Sequence, residues 1–147
     1  MQGDCLKRME EIADGSVDMI LTDPPYGTTA CKWDSVIDLP LMWDQLKRIT
    51  KPNGAIVMTA SQPFTTTLIN SNMKMFKYCW VWNKTRPSNF PLAKKQPMKY
   101  HEDIVVFGIK SPSYYPQMVK GEKVRKKGTN KGYSGFNKGL ERDDYLK

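Results

Sequence analysis

The chain has 147 residues, with 23 Lys and Arg against 15 Asp and Glu for a net charge of +8, and three cysteines. That length allows one core and excludes separate cofactor, substrate and recognition domains. Cys5, Cys31 and Cys79 are odd in number and lack metal-type spacing, and they are expected as reduced thiols of a cytosolic protein; no apolar run reaches membrane-spanning length, and Met1–Asp4 resembles no leader, so neither insertion nor export is expected.

In chain order, Gly3-Asp4 reads as the exit of a strand into a helix, with Asp4 a candidate cap. Leu6, Met9, Ile12 and Ala13 recur at helical spacing opposite Lys7, Arg8, Glu10 and Glu11, predicting an amphipathic helix over 5–13 that Asp14-Gly15 ends. Val17 to Thr22 is the first complete strand, and it runs straight into Asp23-Pro24-Pro25-Tyr26 and Gly27. The prolines have no N–H and cannot extend a ladder; their fixed φ stiffens the turn and leaves the carbonyls of Asp23 and Pro24 as acceptors. Asp23 adds a carboxylate and Tyr26 a flat ring. Acceptors converging beside an aromatic plate, at the carboxyl edge where α/β sheets bind ligands, suit an exocyclic amino group on a heteroaromatic ring.

The loop from Gly27 to Ser35 is small and polar, and it is placed to close over a ligand. Trp33 within it either anchors the loop or offers a second aromatic surface. Leu39, Met42, Trp43, Leu46 and Ile49 form one helical stripe. Lys51-Pro52-Asn53-Gly54 reads as a turn delivering the chain into the strand Ala55–Thr59, expected to be buried on both faces in a parallel sheet. Ser61, Gln62 and Phe64 then stand at a strand's carboxyl end, Phe64 with core packing as its other role, before a helix over about 64–72. Met75–Trp82 and Ile104–Phe107 read as strands. Between them Asn83–Tyr100 shows neither period and carries five cations and no acid, among them Lys84, Arg86, Lys94 and Lys95, interleaved with Phe90 and Tyr100. A loop of that length and composition suits phosphates and unstacked bases.

His101, Glu102 and Asp103 alternate faces in a strand and so cannot converge on a metal, and none is expected. From Lys110 on, apolar periodicity ends; residues 110–147 hold ten cations against four acids, whereas residues 1–83 hold eight against nine. A polyanion would meet the later part of the chain, with an affinity that falls as salt rises.

Asp23-Pro24-Pro25-Tyr26 resembles the catalytic motif of the DNA amino-methyltransferases, which methylate adenine N6 or cytosine N4. The likeness extends through Gly3-Asp4-Cys5-Leu6, the run Asp14-Gly15-Ser16-Val17-Asp18, Lys51-Pro52-Asn53-Gly54 and His101-Glu102-Asp103-Ile104. It implies an α/β, Rossmann-like methyltransferase sheet, mostly parallel and incomplete, with a partial catalytic domain over 1–109 and a basic, mobile target-recognition segment over 110–147. It implies S-adenosylmethionine as cofactor, with Asp4, Asp23 and Ser61 on it, and double-stranded DNA as partner. Asp23, Pro24, Pro25 and Tyr26 would be catalytic, acting on a flipped base without a covalent intermediate; Trp33, Gln62, Phe64, Lys84, Arg86, Phe90, Lys94, Lys95, His101 and Glu102 would contact DNA, the His-Glu pair closing the base pocket or bracing the basic loop. The acid in the first position favours adenine N6 over cytosine N4. One part of the family pattern is missing: none of Gly121, Gly128, Gly132, Gly135 and Gly139 follows an apolar strand, so no glycine-rich cofactor turn is present. The chain is therefore expected to be a truncated form, one half of a split enzyme completed by a C-terminal segment, partner chain or homo-oligomer, or a DNA-binding remnant without catalysis. On its own it is expected to bind the cofactor weakly or not at all.

Overall fold

A computed structural model describes residues 2–87 and 89–119. The tail glycines and most of the expected recognition segment, from 120 on, lie outside the described residues.

Four strands, β1 (Val17–Thr22), β2 (Thr50–Ala60), β3 (Phe76–Asn83) and β4 (His101–Phe107), alternate with three helices, α1 (Cys5–Met9), α2 (Leu39–Ile49) and α3 (Phe64–Ser71). The sheet order is β1-β2-β4-β3. The α/β class and open sheet are as expected, but the mostly parallel pairing is corrected: only β1–β2 is parallel, and β2–β4 and β3–β4 are antiparallel. The connections explain the difference. A parallel neighbour needs a crossover, which α2 supplies between β1 and β2. Among the described residues the stretch between β3 and β4 contains only a 3-10 turn at Phe90–Leu92, so β4 returns beside β3 in the opposite direction. Pairing of Asn83 with His101 starts β4 three residues before the expected Ile104.

Met42, Trp43 and Leu46 of α2 and Phe64 and Leu68 of α3 bury the apolar face of the sheet made by Ile56, Met58, Ala60, Val105 and Phe107. Leu6 and Met9 of α1 pack against the same cluster. Burial of each large side chain in it contributes roughly 1.5–3 kcal/mol, and the Trp43 and Phe107 rings meet edge to face with centroids 4.8 Å apart. The expectation that β2 is buried on both faces is corrected too: Ile56, Met58 and Ala60 are fully buried, whereas Ala55, Val57 and Thr59, which alternate with them, are only half-buried. Helices cover one face; on the other, Met19 and Leu21 of β1 are 56% and 66% exposed. β1 has one neighbour, so its outer edge is unpaired among the described residues.

Two local expectations also change. Lys51-Pro52-Asn53-Gly54 is not a separate turn but an irregularity inside β2, where Val17 pairs with Thr50 and Met19 already with Ala55. Gly54 makes it possible, since a Cβ there would lie 2.6 Å from Thr50 Cγ2 and 2.9 Å from the Asp18 carbonyl oxygen. The helix expected over 5–13 ends at Met9. Beyond it Glu10, Glu11 and Ile12 donate to carbonyls three residues back. Arg48 of α2 takes over the helix end, donating to the carbonyls of Met9 (2.7 Å) and Ile12 (2.8 Å) and to the Asp14 carboxylate, while Gln45 Oε1 accepts from the same guanidinium. Replacing Arg48 by Met should therefore lower unfolding free energy by about 2 kcal/mol, whereas the same change at exposed Lys47 should stay within about 0.5 kcal/mol; urea titration followed by circular dichroism measures both.

Candidate active site

β1 ends at Thr22, and the next residues leave the sheet at its carboxyl edge as a tightly specified turn. Pro24 is buried, Pro25 and Tyr26 half-buried, and Asp23 exposed. The parallel register that pairs Leu21 with Val57 and Thr22 with Met58 brings Asp23 level with Thr59. The Thr59 hydroxyl donates to Asp23 Oδ1, which also accepts from the Tyr26 hydroxyl at 2.8 Å; the two hydroxyls are 2.9 Å apart. One carboxylate oxygen is thus held from β2 and from the turn itself. The other, Oδ2, accepts no hydrogen bond from the described residues, and neither does the Pro24 carbonyl.

Burial first, and then the Asp23 carboxylate, push the Tyr26 phenol well above its ordinary pKa, while the Thr59 hydroxyl acts in the opposite direction. The phenol therefore stays neutral and remains a donor. Phe64 stacks on one face of Tyr26, with centroids 5.3 Å apart and planes 19° from parallel. Phe64 is 4% exposed and belongs to the core.

The loop after the turn is fixed by an acid that sequence reasoning passed over. Asp34 Oδ1 accepts from Gly27 N at 2.9 Å, and Oδ2 accepts from Thr28 N at 2.9 Å and Thr29 N at 2.7 Å. The Thr29 hydroxyl and these amides hold the Asp34 carboxyl at about 2. Gly27 adopts a positive φ of 66°, and a Cβ there would lie 2.8 Å from Val36 Cγ2. The resulting cavity, about 280 Å³, is walled by Asp23, Pro24, Pro25 and Tyr26 on one side and Thr28, Thr29, Trp33 and Asp34 on the other. Its volume lies near the lower end of small-ligand sites and has room for one planar ring. Trp33 lines it and is 76% exposed.

The remaining expected residues do not line this cavity. Asp4 accepts from Leu6 N at 2.9 Å and caps α1. Ser61 accepts from Lys99 Nζ, and Gln62 Oε1 accepts from Thr66 Oγ1 at 2.8 Å. Glu102 forms an ion pair with Lys84, whose ammonium also lies 5.9 Å from the Trp82 ring centroid, and its charge reaches Tyr26. His101 is exposed, as are Arg86, Phe90, Lys94 and Lys95. Asn89 closes their loop, donating to the Pro97 carbonyl at 3.2 Å and accepting from Lys99 N at 2.6 Å.

Thr59 and Asp34 were both missed. Asp34 had a legible signal: three successive amides, Gly27 to Thr29, leave a strand with no ladder partner, and Asp34 is the only acid in that loop. Thr59 had none, because its role follows from the register between two strands. Chemically, the site offers two oxygen acceptors beside an aromatic ring, which suits polarising an N–H group and stabilising positive charge on nitrogen.

The UPF0020 family model, described as an RMKL-like methyltransferase domain, matches residues 4–88. No curated protein matches the chain in sequence. Among solved structures, the M1.HpyAVI–SAM complex is similar with a TM-score of 0.59 and 18% identity over 84% of this chain and 60% of that one. The cytosine-N4-specific PvuII DNA methyltransferase gives 0.58 and 13% over 75% and 49%; TTHA0409 of Thermus thermophilus gives 0.54 and 20% over 80% and 54%. These likenesses establish a shared Rossmann-like methyltransferase fold, and the chain spans between 49% and 60% of the length of these structures.

Two measurements probe the site. Asp34 has its pKa lowered from 3.8 to about 2 by folding, so its hold on the loop is complete above about pH 4 and is lost as pH falls towards 2; Trp33 emission should change in that window in the wild-type chain and already be changed at pH 7 in Asp34→Ala. The raised Tyr26 pKa has the opposite sign: the neutral phenol stabilises the fold fully below pH 10 and less as pH rises beyond it. In ultraviolet titration Tyr26 should ionise above the ordinary tyrosine range, and Asp23→Asn should lower its midpoint part of the way, burial being the larger cause.

Proposed function

Because the chain belongs to the RMKL-like methyltransferase domain family, we propose that it transfers a methyl group to the exocyclic amino group of a base in double-stranded DNA, with adenine N6 the target. The observation that carries this reading is the pairing of an Asp23 carboxylate anchored through Oδ1 with the Pro24 carbonyl in a ring-sized cavity. A base extruded from the duplex would enter between Tyr26 and the Trp33 loop, at an unstacking cost of a few kcal/mol. Its amino group would donate to Asp23 Oδ2 and to the Pro24 carbonyl. As nitrogen forms its bond to the methyl carbon, and the bond from that carbon to the donor's sulfur would break to leave a neutral thioether, nitrogen gains positive charge, which both acceptors stabilise, and its proton then leaves to Asp23 or solvent. The Thr59 and Tyr26 hydroxyls keep Oδ1 from turning to compete for the same donor. Exposed Arg86, Lys94 and Lys95 would meet phosphates.

S-adenosylmethionine is the methyl donor we propose; among similar structures M1.HpyAVI and TTHA0409 were each solved with it. The cavity fits the amino-bearing ring. Of the residues expected on the donor side, Asp4 and Ser61 are engaged elsewhere and do not line it. We therefore propose that a further segment or partner chain completes the donor side, pairing with the open edge of β1, where Met19 and Leu21 are exposed. A second reading, DNA binding without catalysis, draws on the same separation.

Methyl transfer from labelled S-adenosylmethionine to unmethylated duplex DNA, followed by nucleoside analysis, tests both. Asp23→Ala should reduce N6-methyladenine formation by at least about 100-fold with DNA affinity retained. Label in N4-methylcytosine would refute the adenine assignment, and DNA binding with no transfer by the chain, even with a candidate completing segment, would favour the second reading. Thr59→Val should lower kcat about tenfold through misorientation of Asp23, with Thr59→Ser restoring most of it.

A further inference from the structure

The two edges of the sheet are unlike. At the edge opposite β1, a second cavity of about 340 Å³ is lined by Tyr78 and Trp80 of β3 together with Ser111, Pro112 and Tyr114. It shares no residue with the cavity at Asp23. Alternation along β3 places Tyr78, Trp80 and Trp82 on one face of an edge strand. Tyr78 and Trp80 have ring centroids 5.5 Å apart and planes 40° from each other. The facing wall is tied down rather than trailing: Gly108 N donates to the Met75 carbonyl at 3.0 Å, Lys110 N to the Pro52 carbonyl at 3.1 Å and Ser113 N to the Asn53 carbonyl at 3.1 Å. Trp80 is 51% exposed in this concavity, so its ring offers a flat apolar face on which a planar group can stack.

Charge narrows the occupant. Among the described residues no Asp or Glu lines the cavity, so no carboxylate there would pair with an ammonium guest. Lys110 adjoins the lining residue Ser111 in the chain, and the protein carries +8. Planar rings carried on a polyanionic backbone match both features, and aromatic platforms bind such rings with little regard to sequence because every base presents a π-face.

We propose that the Tyr78–Trp80 cavity is a stacking site for an unpaired nucleobase of a DNA strand, separate from the target-base cavity. The proposal rests on the DNA reading for its partner and on this cavity for its location. Paired bases cannot reach it, so it discriminates single-stranded or locally opened DNA from intact duplex.

Fluorescence anisotropy with the full chain, a labelled dT12 strand and a duplex of about the same length provides the test. Trp80→Ala should weaken dT12 binding about tenfold and Tyr78→Ala several-fold, without changing the slope of log affinity against log salt, since phosphate contacts are retained. Duplex binding should change less than about twofold, and Trp80→Phe, which keeps a ring, should restore most of the dT12 affinity. Equal dT12 affinity for wild type and a folded Trp80→Ala variant would overturn the stacking site and leave the methyltransferase reading intact. Absence of binding to either DNA would overturn both, and quenching of Trp80 by a proline-rich peptide but not by dT12 would reassign the cavity to a polypeptide partner.

Discussion

The parallel register of β1 and β2 is the constraint from which the candidate site follows. It brings Asp23 level with Thr59, so a hydroxyl from one strand and a phenol from the turn meet on a single carboxylate oxygen. That oxygen is occupied, and the second one and the Pro24 carbonyl are left as acceptors. Slipping the pairing by one residue would turn Thr59 away and expose Met58 or Ala60 in its place. The core prevents this, because Ile56, Met58 and Ala60 must all lie under α2 and α3.

Support around the turn is divided between backbone and charge. Asp34 satisfies three successive amides and sets the shape of the loop facing Tyr26. Phe64 ties Tyr26 to the core from the other side. The basic loop is braced at its two ends, by Lys84 with Glu102 and by Lys99 with Ser61, while Arg86, Lys94 and Lys95 between them stay in solvent. A loop anchored this way can present cations without collapsing onto the acids of the sheet edge.

The sheet itself is one-sided. All three described helices contribute to the same buried cluster, and the other face carries Met19 and Leu21 at one edge and the β3 aromatics at the opposite one. Exposed apolar area of this kind marks a surface that meets something else. The two edges make different offers: β1 presents an unpaired strand flanked by aliphatic side chains, which suits another polypeptide, and β3 presents rings around a cavity, which suits another ring.

Much of the fold was legible in the residues because its signals are local. Helical spacing located α2 to the residue, breaker residues and β-branched runs located the strands, and two prolines after an acid located the turn, since missing N–H groups and fixed φ act within a few residues. Even Asp4 as a helix cap and the separation of Glu102 from Asp103 followed from such rules. What only the tertiary structure decided depends on residues distant in sequence. Arg48 shortens α1 from 39 positions away, β4 lies antiparallel because no crossover helix precedes it, Gly54 turns an apparent turn into a bulge, and Thr59 joins Asp23 through strand register. Pairing register and face are set by the packing of the whole sheet, and no stretch of sequence encodes them by itself.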